Sequence, residues 1–397
     1  MLKQAAQLKV NSHLDDLARA EIHLFRKAWS AFHVCGLTAL ALAVISVMTL
    51  VRVRGLSAFV MLAIIVAVPF TVCVLGMCVK IVTGEEQYAQ YHHFMAITVI
   101  TMVLVWLLHQ PVLPYLDITI LGIGLTVIVG RIGCFMVGCC HGRPSRWGVC
   151  YRHEHAEAGF APYYVGIRLF PVQLIESVWT LLIVGAGAVL FRGGQPSGGF
   201  LAWYVVTYCL GRFWIEFLRG GPGRPYLFGY SEAQWISFSL ICLVVGLEYA
   251  GVLPRSSLHP IAAASVLVAM IGIAWKRSFQ CATARELLYP DHIKEVAEAV
   301  EFITARAADF SPRHQWSVFA DQTAEKQISV ASTSLGIQLS ASKNEKTYHY
   351  AFSHCDGGMT RETAKLLAQL ILTLRRANSS SEIRSGSRGV FHLFIYS

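Results

Sequence analysis

Eight stretches of the chain run without charge: residues 31–51, 57–79, 94–108, 118–130, 177–191, 200–211, 233–247 and 261–275. A helix needs roughly 20 apolar residues to cross about 30 Å of hydrocarbon. The first two runs meet that length unaided. The others do so only if their polar ends are counted, so the pattern predicts seven or eight membrane-spanning helices. The first 30 residues are mixed-charge and predict a surface or amphipathic helix, with Leu14, Leu17, Ile22 and Phe25 at rough helical spacing. They lack the basic, apolar, small-residue order of a cleavable leader.

Near residue 277 the pattern changes period. Pro290-Asp291 opens a helix with Ile293, Val296, Val300 and Ile303 on one face, capped by the aspartate. Short alternating stretches at 315–320, 327–332, 335–341 and 347–353 predict strands. A second amphipathic helix follows from Thr360 to Ala377, then a Ser-rich turn and a last strand at 389–396. The expected organisation is therefore an N-terminal segment (1–30), an α-helical polytopic membrane domain (31–276) and a soluble α+β domain (277–397). Ser334, His354, Cys355 and Asp356 are candidates for a nucleophilic site there, but an interaction or regulatory role fits that domain better.

Composition agrees with a membrane protein: 55% of residues are hydrophobic and 14% charged, against about 25% charged in soluble domains. The net charge of +9 fits Lys and Arg gathered in cytoplasmic loops. No basic stripe with interleaved aromatics points to nucleic acid. Arg52 and Arg54 put the first loop inside, and the acidic Gly84–Tyr88 loop outside. The count then places 142–171 outside and Arg192 inside. With eight full spans, neither the basic amino terminus nor Lys276-Arg277 falls inside, whereas one re-entrant segment would bring one end right.

Two arginines break the apolar pattern. Arg131 follows thirteen uncharged residues and Arg212 follows twelve. A charge inside a bilayer costs at least about 2.5–3.5 kcal/mol, so such residues usually face inward and act. On a helix, Tyr204, Tyr208, Arg212, Glu216 and Arg219 form one stripe. Its two arginines exceed its one carboxylate, leaving a positive charge for an external anion. Arg131 enters a turn with Gly130, Gly133, Gly138 and Gly142, and Arg143 flanks that turn. Guanidinium forks grip phosphate in a bidentate way. In a membrane, the abundant anion is a phospholipid head group.

Gly130-Arg131-Ile132-Gly133-x-Phe135, Gly142-Arg143-Pro144-Ser145 and Trp147-Gly148 resemble the signature of prolipoprotein diacylglyceryl transferases. Pro171-x-Gln173-Leu174-x-Glu176, Tyr208-x-x-x-Arg212-Phe213-x-x-Glu216-Phe217-x-Arg219 and Gln234 follow in order. The resemblance covers roughly residues 90–250. It implies transfer of the diacylglyceryl group of phosphatidylglycerol to the lipobox cysteine of a prolipoprotein signal peptide, at the outer face of the bacterial plasma (inner) membrane. It implies catalytic roles for Arg131 and Arg212, and supporting, substrate-binding roles for Gly142, Arg143, Tyr208, Glu216 and Arg219. The family's essential histidine maps to His92 or His93, without the two glycines that follow it there. No metal or organic cofactor is implied.

The chain departs from the family at two polar positions: Cys134 stands for an Asn, and Cys139 for the Glu of a Gly-Glu pair. A rival reading makes Cys134, Cys139, Cys140, His141 and Cys150 a metal or redox site, since thiolate and imidazole bind zinc. A second rival is a non-catalytic lipid-binding or transport protein that uses the anion pocket only for recognition. The remaining cysteines inside apolar runs read as small hydrophobes.

Overall fold

The computed structural model describes residues 2–397 apart from 25, 85–89, 191, 193, 195, 222, 224, 280–283, 285, 310–328, 345–346, 358, 376–379, 387–388 and 397. All eight apolar runs are helices: α2 (Ala31–Val53), α3 (Ala58–Thr83), α4 (Gln90–Leu107), α5 (Val112–Val137), α7 (Val172–Leu190), α8 (Gly199–Ile215), α9 (Glu232–Tyr249) and α10 (Leu258–Ser278). Among the described residues six are long and apolar enough to cross a membrane. The other two, α8 and α9, have 17 and 18 residues and reach polar residues at their ends.

Helix α5 lies against α2, α7 and α8. Its glycines allow the close approach: a β-carbon on Gly133 would meet Cys35 Cβ at 2.8 Å, and one on Gly124 would meet Val184 at 2.6 Å. Small residues at such contacts give van der Waals packing in lipid, where burial of apolar groups supplies little drive. Helix α8 starts where Asp117 of α5 accepts bonds from the Gly198 and Leu201 amides, both 2.8 Å. A carboxylate there satisfies orphan amides and the helix dipole together. Ser231 and Gln234 form a capping box on α9.

The amino-terminal segment differs from expectation. Only α1 (Leu2–Leu17) is helical; β1 (Glu21–Leu24) and β2 (Lys27–Ser30) form a hairpin. Phe25 lies outside the described residues. Helix α1 is not a free surface helix: it binds the segment after α5. Asn11 accepts from the Gly148 amide at 3.0 Å, Asp15 from the Cys150 amide at 2.7 Å, and Asp15 pairs with Arg168 at 2.9 Å. That segment contains β3 (Pro144–Cys150), α6 (His153–Glu157), a 3-10 turn (Pro162–Tyr164) and β4 (Arg168–Leu169).

The carboxy-terminal region has α11 (Pro290–Ala305), α12 (Arg361–Leu374) and a sheet of β7 (Ala308–Asp309), β8 (Val330–Ser332), β9 (Ile337–Asn344), β10 (Thr347–His354), β11 (Ser381–Ser385) and β12 (Phe391–Tyr396). β5 (Tyr226–Leu227) and β6 (Tyr230–Ser231) form a small hairpin before α9. The main path of the sheet is β11-β12-β10-β9-β7, with β8 also on β9. The stretch 315–320 lies outside the described residues. Strand β11 replaces part of the expected Ser-rich turn. Asp291 does not cap its own helix: Tyr289 takes that place with Pro290 at the first helical position. The Asp291 carboxylate instead accepts from the Gly223 amide at 2.6 Å.

This bond belongs to a larger contact. Ile293, Val296 and Val300 of α11 and Leu367 and Ile371 of α12 share one apolar cluster with Phe135, Val149, Tyr151, Phe160, Tyr164 and Leu169. Tyr289 stacks on Tyr226 at 4.3 Å. The carboxy-terminal region and α1 therefore meet the same 144–169 segment. At the basic end of α10, Arg277 lies 5.2 Å over Tyr230 and 5.8 Å over Phe217, cation–π contacts, and donates to the Gly229 carbonyl.

Burial holds the His349 imidazole down to about 4, with His392 a further cause; its Nε2 lies 3.0 Å from His392 Nδ1. Its folded value is depressed, so the unfolded chain takes up a proton first as pH falls below about 6.5. Stability held at neutral pH is then lost between that point and about 4. His349→Gln is expected to recover roughly 2 kcal/mol of the loss seen on going to pH ~4.5, read from unfolding midpoints of the two proteins at both pH values.

Candidate functional site

Three helices and one turn bring charge to a single point. Glu176, one turn into α7, accepts from Arg131 at 2.9 Å and from Tyr208 at 2.7 Å. Its other oxygen lies 3.4 Å from Arg219, and Arg212 Nε is 3.9 Å away. Arg212 also pairs with Glu216, one turn later on the same stripe. These five charged side chains are each between 1 and 8% exposed. Three guanidiniums face two carboxylates, which leaves one net positive charge in a desolvated setting. The excess expected from the α8 stripe alone persists after Arg131 and Glu176 are added.

The stripe itself bends. Helix α8 gives way to a 3-10 turn over Glu216–Leu218, and Arg219 follows in extended backbone. Main-chain bonds then fix it. The Gly142 amide donates to the Phe170 carbonyl, the Arg143 amide to the Leu218 carbonyl and the Gly220 amide to the His141 carbonyl, all at 3.0 Å. A β-carbon on Gly142 would lie 3.0 Å from the Leu218 carbonyl oxygen and closer still to that of Phe170. Glycine at 142 thus lets three strands of backbone close. Arg143 is half-buried, and its Nε donates to the Arg219 carbonyl at 3.3 Å.

The two candidate histidines part company. His92 is 41% exposed at the side chain and pairs with Glu232 at the start of α9, 2.9 Å away. His93 lines a cavity of about 170 Å³ with Gln90, Phe94, Ile97, Ile123, Val127 and Tyr208 among its walls. Gln90, one turn before His93, also accepts from Arg131. Tyr208 stacks on Tyr204 with centroids 5.6 Å apart and meets Tyr91 edge-on at 6.4 Å. The cavity is therefore mostly apolar, with Gln90, His93 and Tyr208 as its polar walls, and Gln90 ties it to Arg131.

Three residues of this site had no role in the sequence reading: Glu176 and Gln173, which appear there only within the family signature, and Gln90, which is not singled out. Glu176 had a signal, since it is the only charge in α7. Gln173 donates to the Cys139 carbonyl at 2.8 Å, a contact with no trace in local sequence.

Beyond α5 the chain reverses at Gly138, whose φ is 84°, and Cys140 is also left-handed, with φ 53°. This brings the sulfur atoms of Cys134, Cys139 and Cys140 within 4.8 Å of one another. His141 does not join them: its Nδ1 is 2.9 Å from the Gly142 carbonyl and its ring packs on Tyr164 at 5.0 Å. Hydrogen bonds from Cys134 and Cys139, then the charges of Arg219 and Arg131, hold the Cys140 thiol well below its usual value. In the carboxy-terminal region His354, Cys355 and Asp356 are neighbours on one exposed turn, with Cys355 Sγ 3.9 Å from His354 Nδ1. The Ser334 amide donates to Glu295 at 2.7 Å.

The helical bundle thus holds a buried, net-positive cluster beside an apolar slot. The prolipoprotein diacylglyceryl transferase family model matches residues 35–249, more than half of the sequence, and the chain belongs to that family. It is similar to the phosphatidylglycerol–prolipoprotein diacylglyceryl transferase of Clostridium tetani, 35% identical over 136 residues, 34% of this chain and 52% of that protein. It is also similar to transferase 2 of Clostridium perfringens, 31% identical over 135 residues (33% of this chain and 49% of that one). The same enzyme of Prochlorococcus marinus strain NATL1A is 31% identical over 153 residues, 33% of this chain and 47% of its own length. The chain spans about half the length of the curated relatives it matches.

Proposed function

We propose that the protein transfers the diacylglyceryl group of phosphatidylglycerol to the thiol of a lipobox cysteine in prolipoproteins, releasing glycerol phosphate. The observation that carries this reading is the triple-arginine cluster on Glu176 beside the slot lined by His93. Both bonds from Arg131 leave through Nη2, so Nη1 and Nε are the donors offered to phosphate. Arg212 and Arg219 supply the remaining positive field. The apolar walls of the slot suit an acyl chain.

In the reaction, the substrate thiol, whose free pKa is about 8.5, gives its proton to His93 acting as general base. The thiolate attacks the glyceryl carbon bonded to phosphate; a carbon–sulfur bond forms as the carbon–oxygen bond breaks. Negative charge gathers on the departing glycerol phosphate, where Arg131 and Arg212 stabilise it in a low-dielectric cleft. Tyr208 and Glu216 hold the forks in place. His92, outward and paired with Glu232, takes no part.

We read α8 and α9 as two further crossings, making eight. The contacts of α1 and of the carboxy-terminal region with the 144–169 segment support an even number on either side of it. The site then opens to the outer face of the plasma (inner) membrane of a bacterium, with both termini on that face.

The test is phosphatidylglycerol-dependent labelling of a lipobox peptide by the full chain in vesicles; absence of labelling would overturn the reading. Within it, His93→Ala is expected to slow labelling by about 10²–10⁴-fold, whereas His92→Ala should stay within threefold or so of the parent on the same principle. Equal loss in both variants would remove His93 as the base.

A further inference from the structure

The transfer reading gives no task to the three thiols beneath the arginines, yet the chain is bent to gather them. A residue with a β-carbon in left-handed backbone is held at a cost of about 1–3 kcal/mol, and Cys140 adopts that conformation two residues after Gly138. The effect is to fold residues 139 and 140 back over the last turn of α5, where Cys134 is buried and the other two are half-buried. We propose that Cys134, Cys139 and Cys140 form a three-thiolate site for one thiophilic metal ion of the zinc class.

Sulfur atoms bound at about 2.3 Å around one zinc ion stand roughly 3.8 Å apart. The present mutual separations, all within 4.8 Å, close to that spacing by small side-chain rotations. All three converge, which a disulfide does not require: it would use two sulfurs and leave the third. Three thiolates on a divalent ion carry one net negative charge, and Arg131 lies one turn before Cys134 on α5, in a cluster with one surplus positive charge. The site therefore sits where the protein's own field favours it. Neither His141, turned to Gly142 and Tyr164, nor Cys150 of β3 is a ligand. The fourth tetrahedral position stays open to water, as in three-ligand zinc centres.

Bound metal would pin the turn that leads into Gly142 and Arg143. The Gln173–Cys139 bond extends that hold to α7, one turn before Glu176. The ion would thereby brace the turn that carries Cys139 and Cys140 against α5 and α7.

The test titrates the full chain, purified in detergent under reducing conditions, with cadmium(II), following thiolate-to-metal charge-transfer absorption. Zinc content is measured separately after dialysis. Saturation at one equivalent per chain is expected, lost in the C134S/C139S/C140S variant and kept in Cys150→Ser and Cys35→Ser. Should the triple variant fail to fold, Cys139→Ser alone is expected to weaken binding more than about tenfold, by removing one of three ligands. Zinc should also raise the unfolding temperature of the parent, because it binds the folded form, and leave that of Cys139→Ser unchanged. Binding without saturation, binding that survives loss of the cysteines, or two of the three sulfurs found as a disulfide in the isolated protein would each overturn the site. These readouts need no transferase activity, so they fail or succeed apart from the proposed reaction.

Discussion

Arg131→Ala is expected to lower the rate of diacylglyceryl transfer by about 10²–10³-fold, the loss that follows removal of one preorganised donor to a developing anion. The Nη2 of Arg131 is held by Glu176 and Gln90, so the rest of its fork is aimed in a fixed direction and costs no reorganisation during reaction. Lysine at this position should recover little, because an ammonium cannot hold two partners and also present a planar pair of donors to phosphate. The measurement is single-turnover labelling of a lipobox peptide at saturating phosphatidylglycerol, which separates a slower step from weaker lipid binding. A variant that labels within threefold of the parent would remove Arg131 from the reaction.

The second large effect is expected at Glu176, through stability as well as rate. Its carboxylate meets Arg131, Arg219 and Tyr208 directly and lies 3.9 Å from Arg212. Removing one partner of a buried ion pair leaves an uncompensated charge, which costs about 3–5 kcal/mol. Glu176→Ala would leave three guanidiniums with Glu216 alone. Unfolding in detergent should therefore begin at markedly lower temperature, with transfer lost in the same protein. Glu176→Gln separates the two roles, since the amide oxygen can still accept from Tyr208 but carries no charge. If Glu176→Gln melts with the parent, Glu176 is not the electrostatic centre of the cluster.

Much of this arrangement could be read from residue order. Each apolar run became a helix, because nothing but a helix satisfies its own backbone in lipid. The Arg131 and Arg212 positions were legible because charge is rare there. The contact between them was not: it runs through Glu176, 36 residues before Arg212 and on another helix, and only packing reveals it. The separation of His92 from His93 was equally hidden, since adjacent residues on a helix point about 100° apart and the sequence does not say which faces inward. The hairpin of Glu21–Leu24 with Lys27–Ser30 was missed because Ile22 and Phe25, three apart, also fit a helical period. Strand β11 was missed because its residues are all exposed and, apart from Ile383, polar; its backbone pairing with β12 leaves no alternation to read. The convergence of Cys134, Cys139 and Cys140 without His141 was hidden because it depends on left-handed backbone at Cys140, which residue order does not announce.

Both ends of the chain grip the same 26-residue apron between α5 and α7, from Pro144 to Leu169. Any tag, fusion or tether attached at either extremity pulls on that apron, and through Gly142 and Phe170 on the backbone beside Arg219. The molecule thus has one mechanical handle rather than two, and a single protease nick within the apron would loosen the first helix, the last domain and the mouth of the cleft together.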